Sequence, residues 1–200
     1  MRTNPNFPYF TNTLKDSQIA LLDSYANLLL RWNAIHSLSG AKDLQSIQKN
    51  IQDSLFPLQY EMLNMHIKTN LLDVGSGNGF PSIPLGIALE IPTILCEPNA
   101  KKAAFLQNIK ANLNLKNFTI KREKVESLEL EKKPNLITSR ATFGIQEFLE
   151  KCQRQIGIET TILLYKGSNF TREIPQGLKY THFQNGLLHY IAILGKDLKC

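Results

Sequence analysis

Two hundred residues with 42% hydrophobic and 20% charged side chains suit a soluble globular chain, long enough to bury a core without disulfides or a structural metal. The net charge of +6 and pI of about 9.2 favour a polyanionic partner while deciding nothing about fold. Cys96, Cys152 and Cys200 form no CxxC or Cys/His pattern, no apolar run reaches membrane length, and MRTNPNFPYF has no signal segment, which argues against a metal site, a spanning helix and export and implies a cytoplasmic protein.

Residues 16–35, DSQIALLDSYANLLLRWNAI, repeat apolar groups every three or four positions (Ile19, Leu22, Tyr25, Ala26, Leu29, Trp32, Ile35), the spacing of an amphipathic helix. A second helix is expected over 43–64, with Ile47, Ile51, Leu55 and Leu58 on one face and Pro57 kinking or ending it. From residue 70 short apolar runs alternate with helical ones. LLDV (71–74), TILCE (93–97), FTIKR (118–122), LITSR (136–140) and TILLYK (161–166) read as strands; 84–90, 100–115 and 143–156 read as the helices between them. That alternation requires right-handed crossovers and a mainly parallel sheet covered on both faces. KYTHF (179–183) and LLHYIAIL (187–194) flank Gln-Asn-Gly and predict an antiparallel hairpin at the end. The expected fold is α/β and Rossmann-like, with an N-terminal helical cap (1–66) on a sheet domain (67–200), packed as a single unit.

The run LLDVGSGNGFPSIPL places Gly75, Gly77 and Gly79 as GxGxG, where the dinucleotide fingerprint requires its third glycine one place later, at Phe80. A dinucleotide's pyrophosphate is held by amides at the following helix start. Pro81 and Pro84 have no amide hydrogen to offer there. A nucleotide ligand without phosphates fits better, and S-adenosylmethionine is one. Glu97, 22 positions after Gly75, falls where an acid accepts hydrogen bonds from ribose hydroxyls, or else caps the next helix.

The same residues closely resemble the first motif of the RsmG/GidB family of 16S rRNA guanine-N7 methyltransferases. LLLRWNAIHSLSGAKD (28–43), with Trp32, Asn33 and Leu38, resembles the family's helix and turn; NIQDSL (50–55) resembles its His-Leu-Leu-Asp-Ser-Leu; ITSRA (137–141) and LLYKG (163–167) match its Ser-Arg-Ala and Leu-Lys-Gly segments. The resemblance spans about 14–195, in the family's order. It implies S-adenosylmethionine as cofactor, held by Gly75, Ser76, Gly77, Gly79, Phe80, Glu97, Val125, Glu126 and Arg140. It implies an orienting role for Arg140 and Lys166, and contact of Asn33, Asp53, Arg140 and Lys166 with the RNA of the small ribosomal subunit. No metal is implied, and a monomer is expected. The chain departs from the pattern at Lys49 and Asn50 (usually Arg and His), at Lys124 (Arg) and at Leu188 (Arg).

The chemistry agrees with that substrate. No Asn/Asp-Pro-Pro-aromatic loop for amine methylation follows LITSR, and no cysteine is well placed to activate a pyrimidine carbon. Guanine N7 has a lone pair and no proton, so it can attack a sulfonium methyl directly, and alignment without a general base suffices. Arg140, at the end of the fourth strand, is expected to hold the cofactor carboxylate, an RNA phosphate or guanine O6; Lys166 is expected to contact phosphate or O6. His36, His66, His182 and His189 show no metal or triad spacing, and Trp32 is read as an anchor of the cap. The residues alone also leave open a methyltransferase for another RNA or a small molecule, a non-catalytic RNA-binding assembly factor, and an NAD-dependent oxidoreductase, which the glycine spacing and prolines disfavour.

Overall fold

The structure, a computed structural model, describes residues 14–36 and 43–198; Leu38, Cys200 and the start of the cap lie outside them. Helix α1 spans Asp16–His36 and α2 Leu44–Leu55. Asp43 starts α2 by accepting the Ser46 amide on Oδ1 at 2.7 Å, satisfying a donor that the helix cannot. The second helix is shorter than the 43–64 expected. Pro57 contributes no amide, and the chain continues through three short 3-10 turns over 56–67, the last two separated by Asn64, whose φ of 47° breaks the helical run.

Seven strands follow: β1 Leu71–Val74, β2 Thr93–Cys96, β3 Phe118–Lys121, β4 Leu136–Arg140, β5 Thr161–Lys166, β6 Thr181–Asn185 and β7 Leu188–Leu194. Helices α3 (Ser82–Leu89), α4 (Ala100–Asn112) and α5 (Ile145–Cys152) connect them. The strand order is β3-β2-β1-β4-β5-β7-β6, with β1 to β5 parallel and β7 antiparallel to both β5 and β6. The hairpin turn falls at Gly186 and Leu187, with Gly186 at φ 58°, so β6 runs two residues past the expected 183. The expected Rossmann-like sheet with a terminal antiparallel hairpin is the fold observed.

Side chains alternate across the sheet, as strand pleating requires. Leu72, Val74, Ile137, Ile162 and Leu164 pack against Ile145, Phe148 and Cys152 of α5. On the opposite face Leu71, Leu136, Leu163, Tyr165 and Tyr190 pack with Leu63 and Met65 from the 3-10 turns. The cap shares its core with the sheet's own helices: Leu22, Tyr25 and Leu29 of α1 and Ile47 and Ile51 of α2 are wholly buried with Ile83, Phe105, Leu106 and Ile109. Chain order reverses between β1 and β4, so a crevice opens beyond their carboxyl ends, where open α/β sheets bind ligands.

Candidate functional site

The loop after β1 spends its own amides. Gly75 and Ser76 N–H donate to the Cys96 carbonyl at 2.9 and 3.2 Å, Gly79 N–H to Ser76 O at 2.7 Å, and Ile83 N–H to Gly79 O at 2.8 Å. Gly77 N–H donates to Glu97 Oε2 at 2.8 Å. Pro81 is the residue before α3 and Pro84 its third, both buried. Few donors are left for a phosphate. Gly75 has φ 70°, and a Cβ there would meet Thr142 Cγ2 at 2.2 Å, so only glycine lets the loop touch the chain leaving β4.

Glu97, just past β2, is 5% exposed and also accepts the Asn99 N–H on Oε1 at 2.8 Å. The helix cap itself is Asn99, which accepts the Lys101 and Lys102 amides. Glu97 therefore braces the glycine loop against the turn before α4. A carboxylate has about four lone-pair sites, which leaves two for a ligand.

These residues wall a cavity of about 820 Å³ beyond β1, β2 and β4. Cys96 and Val125 supply buried apolar wall, and Lys102, Lys124 and Lys151 line its basic side. Burial pushes the Cys96 thiol up to about 12, with nearby carboxylates adding to the effect. Glu126 also lines the cavity and is held below the usual carboxylate range chiefly by its hydrogen bond from Lys151 Nζ, at 2.6 Å. Arg140 closes β4: Nη2 donates to Asn50 Oδ1 at 2.7 Å, the guanidinium lies 5.9 Å from the Phe80 ring centroid, and Nη1 is buried with no partner among the described residues. An orphaned buried guanidinium nitrogen calls for an acceptor. Ala141 follows at φ 54°, a strained value for a residue with a Cβ, beside the cavity it lines. A phosphate-free nucleotide with a carboxylate suits this donor and acceptor set.

Residues 18–197 match the family described as rRNA small subunit methyltransferase G. The chain belongs to that family. It is 43% identical over 157 residues to the ribosomal RNA small subunit methyltransferase G of Helicobacter bizzozeronii, covering 78% of this chain and 86% of the relative. The Helicobacter hepaticus protein of the same name is 39% identical over 154 residues, 76% of this chain and 81% of that one. In fold, the chain is similar to a putative S-adenosyl-L-methionine-dependent methyltransferase from Methanococcus maripaludis, with a TM-score of 0.58 at 17% identity over 80% of this chain and 94% of the other.

Of the positions carried over from the methyltransferase G family, Gly75, Ser76, Gly77, Phe80, Glu97, Val125, Glu126 and Arg140 all line the cavity, whereas Gly79 supports the loop from behind. Lys166 does not line it. Its side chain is 10% exposed, and its ammonium pairs with Glu173 Oε2 at 2.6 Å and donates to the Phe143 carbonyl, in a smaller neighbouring cavity. Asp53 is buried in α2, where it takes Lys49 Nζ at 3.1 Å and Asn185 Nδ2 at 3.4 Å and so links the cap to the hairpin. Asn33 lies in α1 and lines neither cavity. Asn50 and Lys124, both departures from the family's usual residues, line the main cavity, and Leu188 lines the smaller one. Among the described residues no group of three His, Cys, Asp or Glu could hold a metal, and no helix is long and apolar enough to cross a membrane.

Two supporting residues escape a reading by motif. Tyr25, legible only as a buried position of α1, donates its hydroxyl to the Asn78 carbonyl at 2.7 Å and packs edge-on against Phe80. Asp73, within β1, accepts Thr138 Oγ1 at 2.7 Å and Ser82 Oγ at 2.8 Å, joining β1, β4 and α3 under the loop. The signal for Asp73 was an acid in the middle of a fully buried strand, a position that requires hydrogen-bond partners.

Proposed function

We propose that the protein transfers a methyl group from S-adenosylmethionine to N7 of a guanosine in 16S rRNA of the small ribosomal subunit. The names of its relatives support an rRNA substrate of the small subunit, and the resemblance read from the sequence supplies guanine N7. The observation that carries the cofactor is the glycine loop with its amides bonded internally beside Glu97: it offers close backbone and a ribose acceptor but little for a phosphate. Bound there, S-adenosylmethionine supplies an electrophilic methyl on a sulfonium. Glu97 would hold the ribose hydroxyls, Val125 and Cys96 would offer apolar surface to the adenine, and Arg140 Nη1 would take an acceptor on the cofactor or the target base.

The residues lining the cavity favour direct attack. Cys96, its thiol at about 12, is a poor nucleophile for pyrimidine chemistry. Glu97 and Glu126 are engaged with amides and with Lys151. N7 carries no proton to remove, so the chain's task is to align the base and exclude water. Lys102, Lys124 and Lys151 line the cavity and would offer positive charge to RNA phosphates. The cap positions the RNA, and the enzyme acts as a cytoplasmic monomer.

Nucleoside mass spectrometry of small-subunit rRNA tests this. Deleting the gene removes one 7-methylguanosine, wild type restores it, and Arg140→Ala lowers transfer in vitro by about 100-fold or more. An unchanged 7-methylguanosine content in the deletion strain overturns the reaction.

A further inference from the structure

Next to the cofactor cavity lies a second of about 350 Å³, and Arg140, Ala141, Thr142 and Phe143 line both. Its volume is at the small end for ligand sites, on the scale of a single base. Its remaining wall includes Lys166, Glu173 and Leu188. A carboxylate here is unexpected in a protein of net charge +6, because it repels the phosphates that the surrounding cations attract. Lys166 offsets that charge, being bound to Glu173 Oε2 at 2.6 Å, and among the described residues no hydrogen bond engages Glu173 Oε1, which leaves it for a ligand.

The pair offers an ammonium donor beside a carboxylate acceptor. The Watson–Crick edge of guanine is its complement: O6 accepts, and N1–H and the N2 amine next to it donate. Adenine reverses the first two positions, with an amine donor beside an N1 acceptor, and would oppose donor to donor at Lys166. Reading guanine from that edge leaves N7, on the opposite side of O6, unoccupied and free to react. We propose that Glu173 reads N1–H and the N2 amine of the target guanine in this cavity while Lys166 donates to O6, making Glu173 the residue that sets base specificity. The assignment rests on the guanine-N7 reading above.

The test uses the full-length protein and small-subunit rRNA carrying either guanosine or inosine, which lacks the N2 amine, at the nucleotide that the wild type methylates. Wild type should prefer guanosine by about 10-fold or more, the cost of an unmet charge-assisted hydrogen bond. Glu173→Gln and Glu173→Ala should lower kcat/KM on guanosine by about 10- to 100-fold and bring the two substrates within about threefold of each other, with S-adenosylmethionine affinity by calorimetry unchanged. A role limited to holding Lys166 would slow both substrates equally, so a guanosine preference kept at its wild-type value in both variants overturns the assignment. So does wild type that methylates inosine as fast as guanosine, a result that needs no variant to fold. A wild type that methylates no small-subunit guanosine overturns the reaction itself and takes this assignment with it.

Discussion

At Gly75 two requirements meet in one residue: a φ of 70°, and a separation from Thr142 Cγ2 that no Cβ can share. The left-handed backbone costs an L-residue about 1–2 kcal/mol before any clash. Gly75→Ala should therefore weaken S-adenosylmethionine binding at least 10-fold by calorimetry. Thr142→Ser removes the clashing methyl but keeps the hydroxyl that bonds Ser139, and the double variant should recover part of the loss. No recovery would mean that backbone strain alone sets the cost. Glu97 shows how far a single residue can be read from its neighbours. Its distance from the loop predicts a ribose acceptor, and its hydrogen bonds from the Gly77 and Asn99 amides show a brace that spacing did not predict. Spacing along a chain cannot report a bond that forms only when two loops meet.

Among the elements, the joint between β1, β4 and α3 depends on Asp73. Burial pushes its carboxyl up to about 6, against the lowering effect of its bonds from Thr138, Ser82 and Ser76, while Glu97 adds to the rise. A carboxyl raised on folding binds its proton more tightly in the native state. The stability this gives is full below about pH 4 and is lost as pH climbs to about 6, and the rise corresponds to about 3 kcal/mol. Asp73→Asn cannot titrate. In urea melts its stability relative to wild type should improve by about that amount between pH 4 and pH 7. A difference that stays flat with pH would place the Asp73 titration outside this range. The fourth predicted strand ends on schedule at Arg140, but the partner that orients it, Asn50, comes from α2, 90 residues earlier.

For the whole molecule, cap and sheet share one core rather than meeting across a linker. Trp32, the single tryptophan, donates Nε1–H to Asn108 Oδ1 at 3.2 Å and packs edge-on against Phe105 of α4. Its fluorescence should therefore follow the same denaturant transition as far-UV circular dichroism, with one midpoint and one slope. An earlier fluorescence transition would show that the cap detaches first. The Tyr25 hydroxyl on the Asn78 carbonyl makes the same link at the site, so loss of the cap would also loosen the glycine loop.

Local pattern was enough for the parallel strands, the glycine loop and the acid after β2. Periodicity, chain-breaking residues and backbone chemistry are properties of short stretches, and β1, β4 and β5 fall where those stretches begin and end. The prolines of GFPSIPL told against a pyrophosphate for the same local reason, a missing amide hydrogen. What only the tertiary structure decided is which distant groups share space: Asn50 with Arg140, Tyr25 with the loop, Asp53 with Asn185, and Lys166 with Glu173 in a cavity apart from the one beside the glycine loop. Hydrogen bonds and ion pairs fall off within a few ångströms, and the crossovers of a parallel sheet bring residues within that range from any distance along the chain.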